Sequence, residues 1–375
     1  MDTHKPNSIF AVFKDLEDPR KQRNQIYSLF DIVTISILAI LCGADDWATI
    51  HLWASCNLPW LQEHGICLAG VPSHDTLGRF FRYVSASNFE RCFVQWTQNI
   101  AGAIKGVIAI DGKTLRSSHD IAREGKAIHM VSAFAAENKL ILGQLATDTK
   151  SNEITAIPLL LDMLDIKGAT VTIDAAGCQK QIAKQIRHQG GHYLLALKGN
   201  QGNLHAEAKN FFVQAIKVKP EEASCDYYLI EEKSRDRFEK REVWCTHGLD
   251  WLPQRKEWVD LNALVCMRST RRIKDKTSVE ARYYIASEKA NAEKHGLGIR
   301  SHWPIENKVH WQLDVSYGED KSKVRKDHGA QNLSVLKRCT MNLLKADTKT
   351  KAGIKGKRAK AGWNRDYMME MLNGK

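Results

Sequence analysis

The chain opens on apolar blocks too continuous for a surface helix. Residues 26–43, IYSLFDIVTISILAILCG, are apolar on nearly every helical face, which predicts a helix buried in a bundle with Gly43 as its stop. A second helix is expected over about 46–56. The stretch GVPSHDTLGRFFRYV then puts Pro72 in a turn and Ser73 at an N-cap, ahead of a helix carrying Leu77, Phe80, Phe81 and Val84. Arg79 and Arg82 share that helix, so a helix-turn-helix DNA reader is one reading and an ordinary helical hairpin the other. Residues 1–100 are expected to be a helical domain with a DNA-binding role.

The pattern changes at about residue 106. VIAID (107–111), AIHMVSAFA (127–135) and LILGQLAT (140–147) are strand-like runs, the last two joined by the polar AENK. EITAIPLLLDML (153–164) has helical spacing. TVTID (170–174) reads as a buried strand, GCQKQIAKQIRHQ as a helix, HYLLALKG (192–199) as a strand and NLHAEAKNFFVQAI as a helix. Three strands in series, then alternating helix and strand, describe an α/β fold: a mixed sheet flanked by helices, in the order of an RNase H-like core. Residues 101–221 are its first part.

Residues 222–287 break the rhythm with short alternating runs between charged turns, and predict an inserted antiparallel β subdomain. Trp244, Trp251 and Trp258 lie in it at a spacing of seven. They form a small core, or one of them, with Trp251 the candidate, stacks on a base drawn from a duplex. Helices resume over 288–345. The last segment, 346–375, is rich in Lys, Ala and Gly, and is expected to be a basic tail, mobile without a polyanion.

Charge sharpens this picture. The net charge is +12, and residues 315–375 alone hold 15 Lys or Arg against 6 Asp or Glu. Such an excess suits nucleic acid or an anionic surface, or is a solvated lysine-rich face. The greasiest stretch, Leu29 to Cys42, contains Asp31 and falls short of the ~20 apolar residues of a membrane span. It also lies too far from the N-terminus for a signal peptide. The nine cysteines include no CxxC pair, so reduced thiols in a cytoplasmic protein are expected.

Candidate chemistry follows from strand ends. Cutting a phosphodiester requires an activated water and neutralised charge on the attacking and leaving oxygens, which paired Mg²⁺ ions supply on a few carboxylates. Asp111 ends the first core strand and Asp174 the fourth. Either alone reads as a turn or capping residue. Two, on strands that such a sheet sets side by side, favour a metal site. A third acid is sought on a later helix, and Glu306 in IRSHWPIENKVHWQLDV lies in the first turn after Pro304. Glu306, His310 and Asp314 also form an i, i+4, i+8 stripe, an alternative site for a transition metal. Lys113 could reach a phosphate or be an exposed turn lysine. Trp303 and Trp311 pack in the core or against DNA, and Gln179 follows the second acid.

IAIDGKTLRSS, TDTKSNEITAIPLLLDMLDIKG, TIDAAGCQKQIAKQI, YLLALKGNQG and IRSHWPIENKVHWQLDV, in that order, resemble the H-repeat-associated DDE transposases of bacterial insertion sequences. The likeness covers nearly the whole chain, including KAGWNRDYMMEML near its end. It implies Asp111, Asp174 and Glu306 as the catalytic, metal-binding triad. It also implies dependence on Mg²⁺, for which Mn²⁺ substitutes, double-stranded DNA ends and target as partners, a homodimer or higher multimer on DNA, and association with the nucleoid. The wider group often carries a Tyr-Arg-Glu-Lys signature around the third acid. Here His302 and Leu313 stand where its Arg and Lys would be, and Arg300, His302 and Lys308 are the candidates for phosphate contact. A DNA-binding relic without catalysis is the alternative.

Overall fold

The computed structural model describes residues 8–373, apart from 15, 22–24, 103, 105, 120–125, 148–151, 235 and 247. Strand β1 (Val107–Thr114) pairs antiparallel with β2 (His129–Ala135), and β2 with β3 (Leu140–Thr147). On its other side β1 pairs parallel with β4 (Thr170–Ile173), and β4 with β5 (His192–Leu197). Helices α7 (Glu153–Asp162) and α8 (Lys180–His188) make the crossovers. This is the RNase H-like arrangement expected from the sequence. β2 and β4 are buried along their whole length because helices cover both faces of the sheet.

The insertion differs from expectation in one respect. After α9 (Gly202–Ala215), strands β6 (Cys225–Ser234), β7 (Arg237–Thr246), β8 (Ala263–Ile273) and β9 (Lys276–Ala286) form an antiparallel meander. It is not a separate sheet. β9 pairs with β5, from Leu194 opposite Ala286 to Leu197 opposite Tyr283, so nine strands run in the order β3-β2-β1-β4-β5-β9-β8-β7-β6. Trp244 and Trp258, each 4% exposed, are core residues beside Tyr193 and Phe212.

Among the described residues, six helices precede the sheet: α1 (Ile9–Val12), α2 (Leu29–Leu41), α3 (Trp47–Cys56), α4 (Leu58–Glu63), α5 (His74–Tyr83) and α6 (Ala86–Ala101). Ser28 caps α2 by accepting from the Asp31 N–H, and every residue from Ile32 to Leu41 is buried. The all-round apolar pattern therefore marks a central helix. The connection between α3 and α5 spans residues 57–73 and contains α4, far longer than the ~3–4 residues of a helix-turn-helix turn. Arg82 is committed to Asp327 at 2.7 Å. α3 and α5 therefore do not form a tight helix-turn-helix.

Beyond the sheet come α10 (Ala292–His302), α11 (Trp311–Val315) and α12 (Gly329–Ala346). α12 is buried along nearly all its length, and its residues pack against α2, α5, α6 and β3. The last segment is also folded, contrary to the expected mobile tail. Helices α13 (Ile354–Trp363) and α14 (Arg365–Asn373) insert Ile354, Tyr367, Met368, Met371 and Leu372 into the cluster that holds α2 and α12. Arg358, 4% exposed, donates to the carbonyls of Ile40 and Ala44 and to Asp45, tying the end of the chain to its beginning. Composition misled here because two of the tail's cations, Lys357 and Arg358, satisfy buried carbonyls rather than solvent. A chain ending at Leu344 loses five buried apolar side chains at ~1.5–3 kcal/mol each, comparable with an ordinary domain's whole stability. It should show no cooperative melting transition by circular dichroism. A native melting temperature in the shortened chain would mean that α13 and α14 are accessory.

Candidate active site

Ala109 pairs with Thr172, so Asp111 on β1 and Asp174, the residue after β4, extend from one face of strands ~4.8 Å apart. Asp174 is fixed by its own turn: its Oδ1 accepts from the Ala176 N–H at 2.9 Å and the Gly177 N–H at 3.3 Å. Asp111 is followed by Gly112 for a reason the turn-like dipeptide concealed. Gly112 lies within the strand, and a Cβ there would stand 2.2 Å from His129 Nε2 and 2.3 Å from Glu153 Oε1. Those two side chains are buried against each other at 2.5 Å, directly behind the first acid.

Helix α10 crosses the same face. Gly296 and Gly298 carry no Cβ to strike Val243 and Leu194, so the helix sits close on the sheet despite the cost of glycine in a helix. Its last residue, His302, meets Thr172 Oγ1 at 3.0 Å through Nδ1. The chain then bends through Trp303 and Pro304 into a π turn, Glu306–His310, before α11. A π turn carries an extra residue and recurs at functional sites. Here it leaves Glu306 exposed toward the cleft while His310 Nε2 lies 3.3 Å from Asp111 Oδ2.

Asp111, Asp174 and Glu306 thus line one cleft of about 830 Å³. Burial would raise the Asp111 carboxyl, but His310, with His302 behind it, outweighs burial and holds it below the ordinary aspartate value. His302 feels all three acids, yet burial keeps its imidazole below the ordinary histidine value. An oxygen-only set of three carboxylates fits a hard divalent cation, which keeps several waters and needs few protein ligands. Among the described residues, no three Asp, Glu, His or Cys side chains are already gathered around one metal position. The transition-metal stripe is broken up, because His310 turns to Asp111 and Asp314 to Lys113.

Lys113 has a different place from the phosphate contact expected of it. It is 9% exposed, with its ammonium 2.7 Å from Asp314, 2.8 Å from Asp320 and 3.4 Å from Glu319. Glu319 in turn accepts from Arg338 and Ser334 of α12, each at 2.9 Å. This chain of charges pins β1, the segment after α11 and α12 together beside the cleft. Arg300 pairs with Glu232 at 2.6 Å and Lys308 is exposed, and neither lines the cleft. Arg116, Lys198 and Arg282 do, and sequence spacing did not single them out. Trp303 lines it at 49% exposure, whereas Trp251 stacks on Phe211 at 5.1 Å and donates to the Gly248 carbonyl, away from the acids. Gln179 donates to the Ala176 carbonyl within the turn that follows Asp174.

A mixed RNase H-like sheet with candidate acids on β1, after β4 and on a later helix has the layout of a DDE transposase core. The transposase DDE domain matches residues 102–343 and the DDE_Tnp_1-associated domain residues 10–97, so the chain belongs to the DDE transposase family. It is 40% identical over 365 residues to YhhI of Escherichia coli K12, an H repeat-associated protein provisionally named a transposase, covering 96% of each chain. YncI of E. coli O157:H7, provisionally named likewise, is 39% identical over 371 residues, covering 97% of this chain and 94% of its own. A cryo-EM structure of the piggyBac transposase synaptic complex with hairpin DNA aligns with a TM-score of 0.46 and 9% identity, covering 98% of this chain and 77% of that one.

The Glu319 cluster gives a test by pH. Burial would raise this carboxyl, but Arg338, Lys113 and Lys337 hold it down at about 2. A depressed acid stabilises the fold fully above its unfolded value, near 4.5, and that stability is lost as pH falls toward 2. Glu319→Gln leaves buried cations without their counter-charge and should cost ~3–5 kcal/mol near neutral pH. The deficit relative to the parent should shrink between about pH 4.5 and 2. A melting-temperature difference independent of pH across that range would remove the ionic role.

Proposed function

We propose that this chain is an active transposase that cleaves DNA at the ends of its insertion sequence and joins those ends to a target, in a divalent-metal-dependent reaction. The observation that carries the reading is the meeting of Asp111, Asp174 and Glu306 in one cleft on one face of the sheet. Mg²⁺, or Mn²⁺ in its place, held by these carboxylates would activate the attacking water or 3′-hydroxyl and offset charge on the phosphate oxygens. The protein's own groups do the rest. Asp111 is held below the ordinary aspartate value, with His310 and His302 beside it, and is ready to bind a cation. Arg116, Lys198 and Arg282 set positive charge along the walls, where a phosphate backbone would lie. Double-stranded element ends and target DNA are the substrates, the enzyme works as a homodimer or higher multimer on them, and its place is the nucleoid.

Asp111→Asn, Asp174→Asn and Glu306→Gln each remove a metal ligand with little change in volume. Each should lower metal-dependent cleavage of end DNA by at least about 100-fold, the scale of losing one electrostatic group at a reacting centre. Gel-shift binding of the same DNA should be unchanged. Near-normal cleavage by one variant would remove that residue from the triad. Binding without any cleavage by the parent chain would leave a DNA-binding relic of the same fold.

A further inference from the structure

The four strands that prolong the sheet reach well beyond α10, and the outer halves of β8 and β9 are open to solvent. Register decides which of their side chains share the face of the acids. Asp111 stands on the face of Ala109, which pairs with Thr172; Thr172 pairs with Leu194, Leu194 with Ala286 and Ala286 with Ala263. Counting by twos along β9 and β8, Arg282, Glu280 and Arg271 point to that face. Cross-strand partners on β7 place Arg241, Glu239 and Arg237 there too, and Glu232 of β6 lies opposite Glu239. The packing agrees, since Val243, Val265 and Tyr284 on this face contact Ala292 and Ile299 of α10.

These side chains form a row. Glu232 accepts from both Arg300 and Arg241 at 2.6 Å. Glu239 pairs with Arg237 and Arg241, and lies 3.6 Å from Arg271. Glu280 pairs with Arg282, which lines the cleft. Five guanidinium groups therefore share three carboxylates, on paired strands that hold them in order. Arg241 and Arg271 lie on the order of 25 Å from Asp111, from strand spacing and rise per residue, a little under one ~34 Å turn of B-DNA.

We infer that this face is a second DNA-contacting surface. Its arginines take the sugar-phosphate backbone of the duplex nearly one turn from the phosphate that is cut. The inference rests on reading the cleft as a DNA-cutting site. Planar guanidinium forks match phosphate as well as carboxylate, and the Arg237, Arg271 and Glu232 side chains are 46%, 47% and 43% exposed, so an incoming phosphate can take a carboxylate's place. The carboxylates keep the arginines ordered until DNA arrives. The opposite face of the same strands carries Lys240, Arg268 and Arg272, a similar charge directed away from the acids. It provides an internal control.

The experiment is fluorescence anisotropy with a 40-base-pair duplex carrying the element end, without divalent metal, over a salt series. Arg237→Gln, Arg241→Gln and Arg271→Gln combined should reduce the magnitude of the slope of log K against log salt by about 2–3, at ~0.9 per phosphate contact. Lys240→Gln, Arg268→Gln and Arg272→Gln combined should leave it unchanged. Glu232→Gln with Glu239→Gln should strengthen binding, a direction that a purely structural role would not produce. If the first triple variant melts early, Arg271→Gln alone, which has the longest contact, should still lower the slope by about 1. Equal losses from both triple variants, or none from either, would overturn the inference. So would tighter binding of single strand than duplex. A parent chain that binds no DNA would instead overturn the reading of the cleft.

Discussion

The buried meeting of charges at Glu319 is the constraint on which the rest of the structure hangs. α12 runs through the middle of the molecule with Lys337 and Arg338 essentially inaccessible to water. Buried cations are tolerated only where partners receive them. Arg338 finds Glu319, Lys337 donates to the Tyr317 carbonyl, and Glu319 faces Lys113 from β1. Sheet, helical domain and the segment carrying the third acid are thereby locked in one geometry. Removing Glu319 would leave buried cations without their counter-charge, so the cluster specifies position more strongly than it adds stability.

Part of that lock, Lys113 with Asp314 and Asp320, also lines the cleft. Lys113 and Asp111 alternate with Gly112 on β1 and so share a face, one reaching for the structural cluster and the other for the site. Asp314 and Asp320 pair with Lys113, leaving Asp111, Asp174 and Glu306 to other partners. Behind β1, the His129–Glu153 contact fills the space that Gly112 vacates. The first acid is therefore braced from both sides of the sheet. Glu306 differs, standing exposed on a π turn at the cleft.

Much of this was legible in the chain itself. Alternation and buried runs located β1 to β5 and their crossovers, because each such strand is short, apolar and bounded by turns. Strand-end acids were visible for the same reason. What could not be read depended on contacts between distant segments. The pairing of β9 with β5 needs a register that neither strand encodes alone. Lys113 reads as a phosphate contact or a turn lysine because its three acidic neighbours arrive some two hundred residues later. The basic composition of the C-terminal segment does not report its fold, because Arg358 and Lys357 are spent on buried carbonyls of other helices. The Glu306 stripe failed because a π turn departs from the 3.6-residue period that the spacing assumed.

The central claim is that Asp111, Asp174 and Glu306 act as one metal site. The most direct measurement is anomalous scattering from crystals of the protein on pre-cut end DNA, grown with Mn²⁺. An anomalous peak within ~2–2.5 Å of carboxylate oxygens from both Asp111 and Asp174, with Glu306 drawn toward it or toward a second peak, is the expected result. Mn²⁺ bound only at Asp314 or Asp320, or no ordered ion with the DNA end in the cleft, would contradict it.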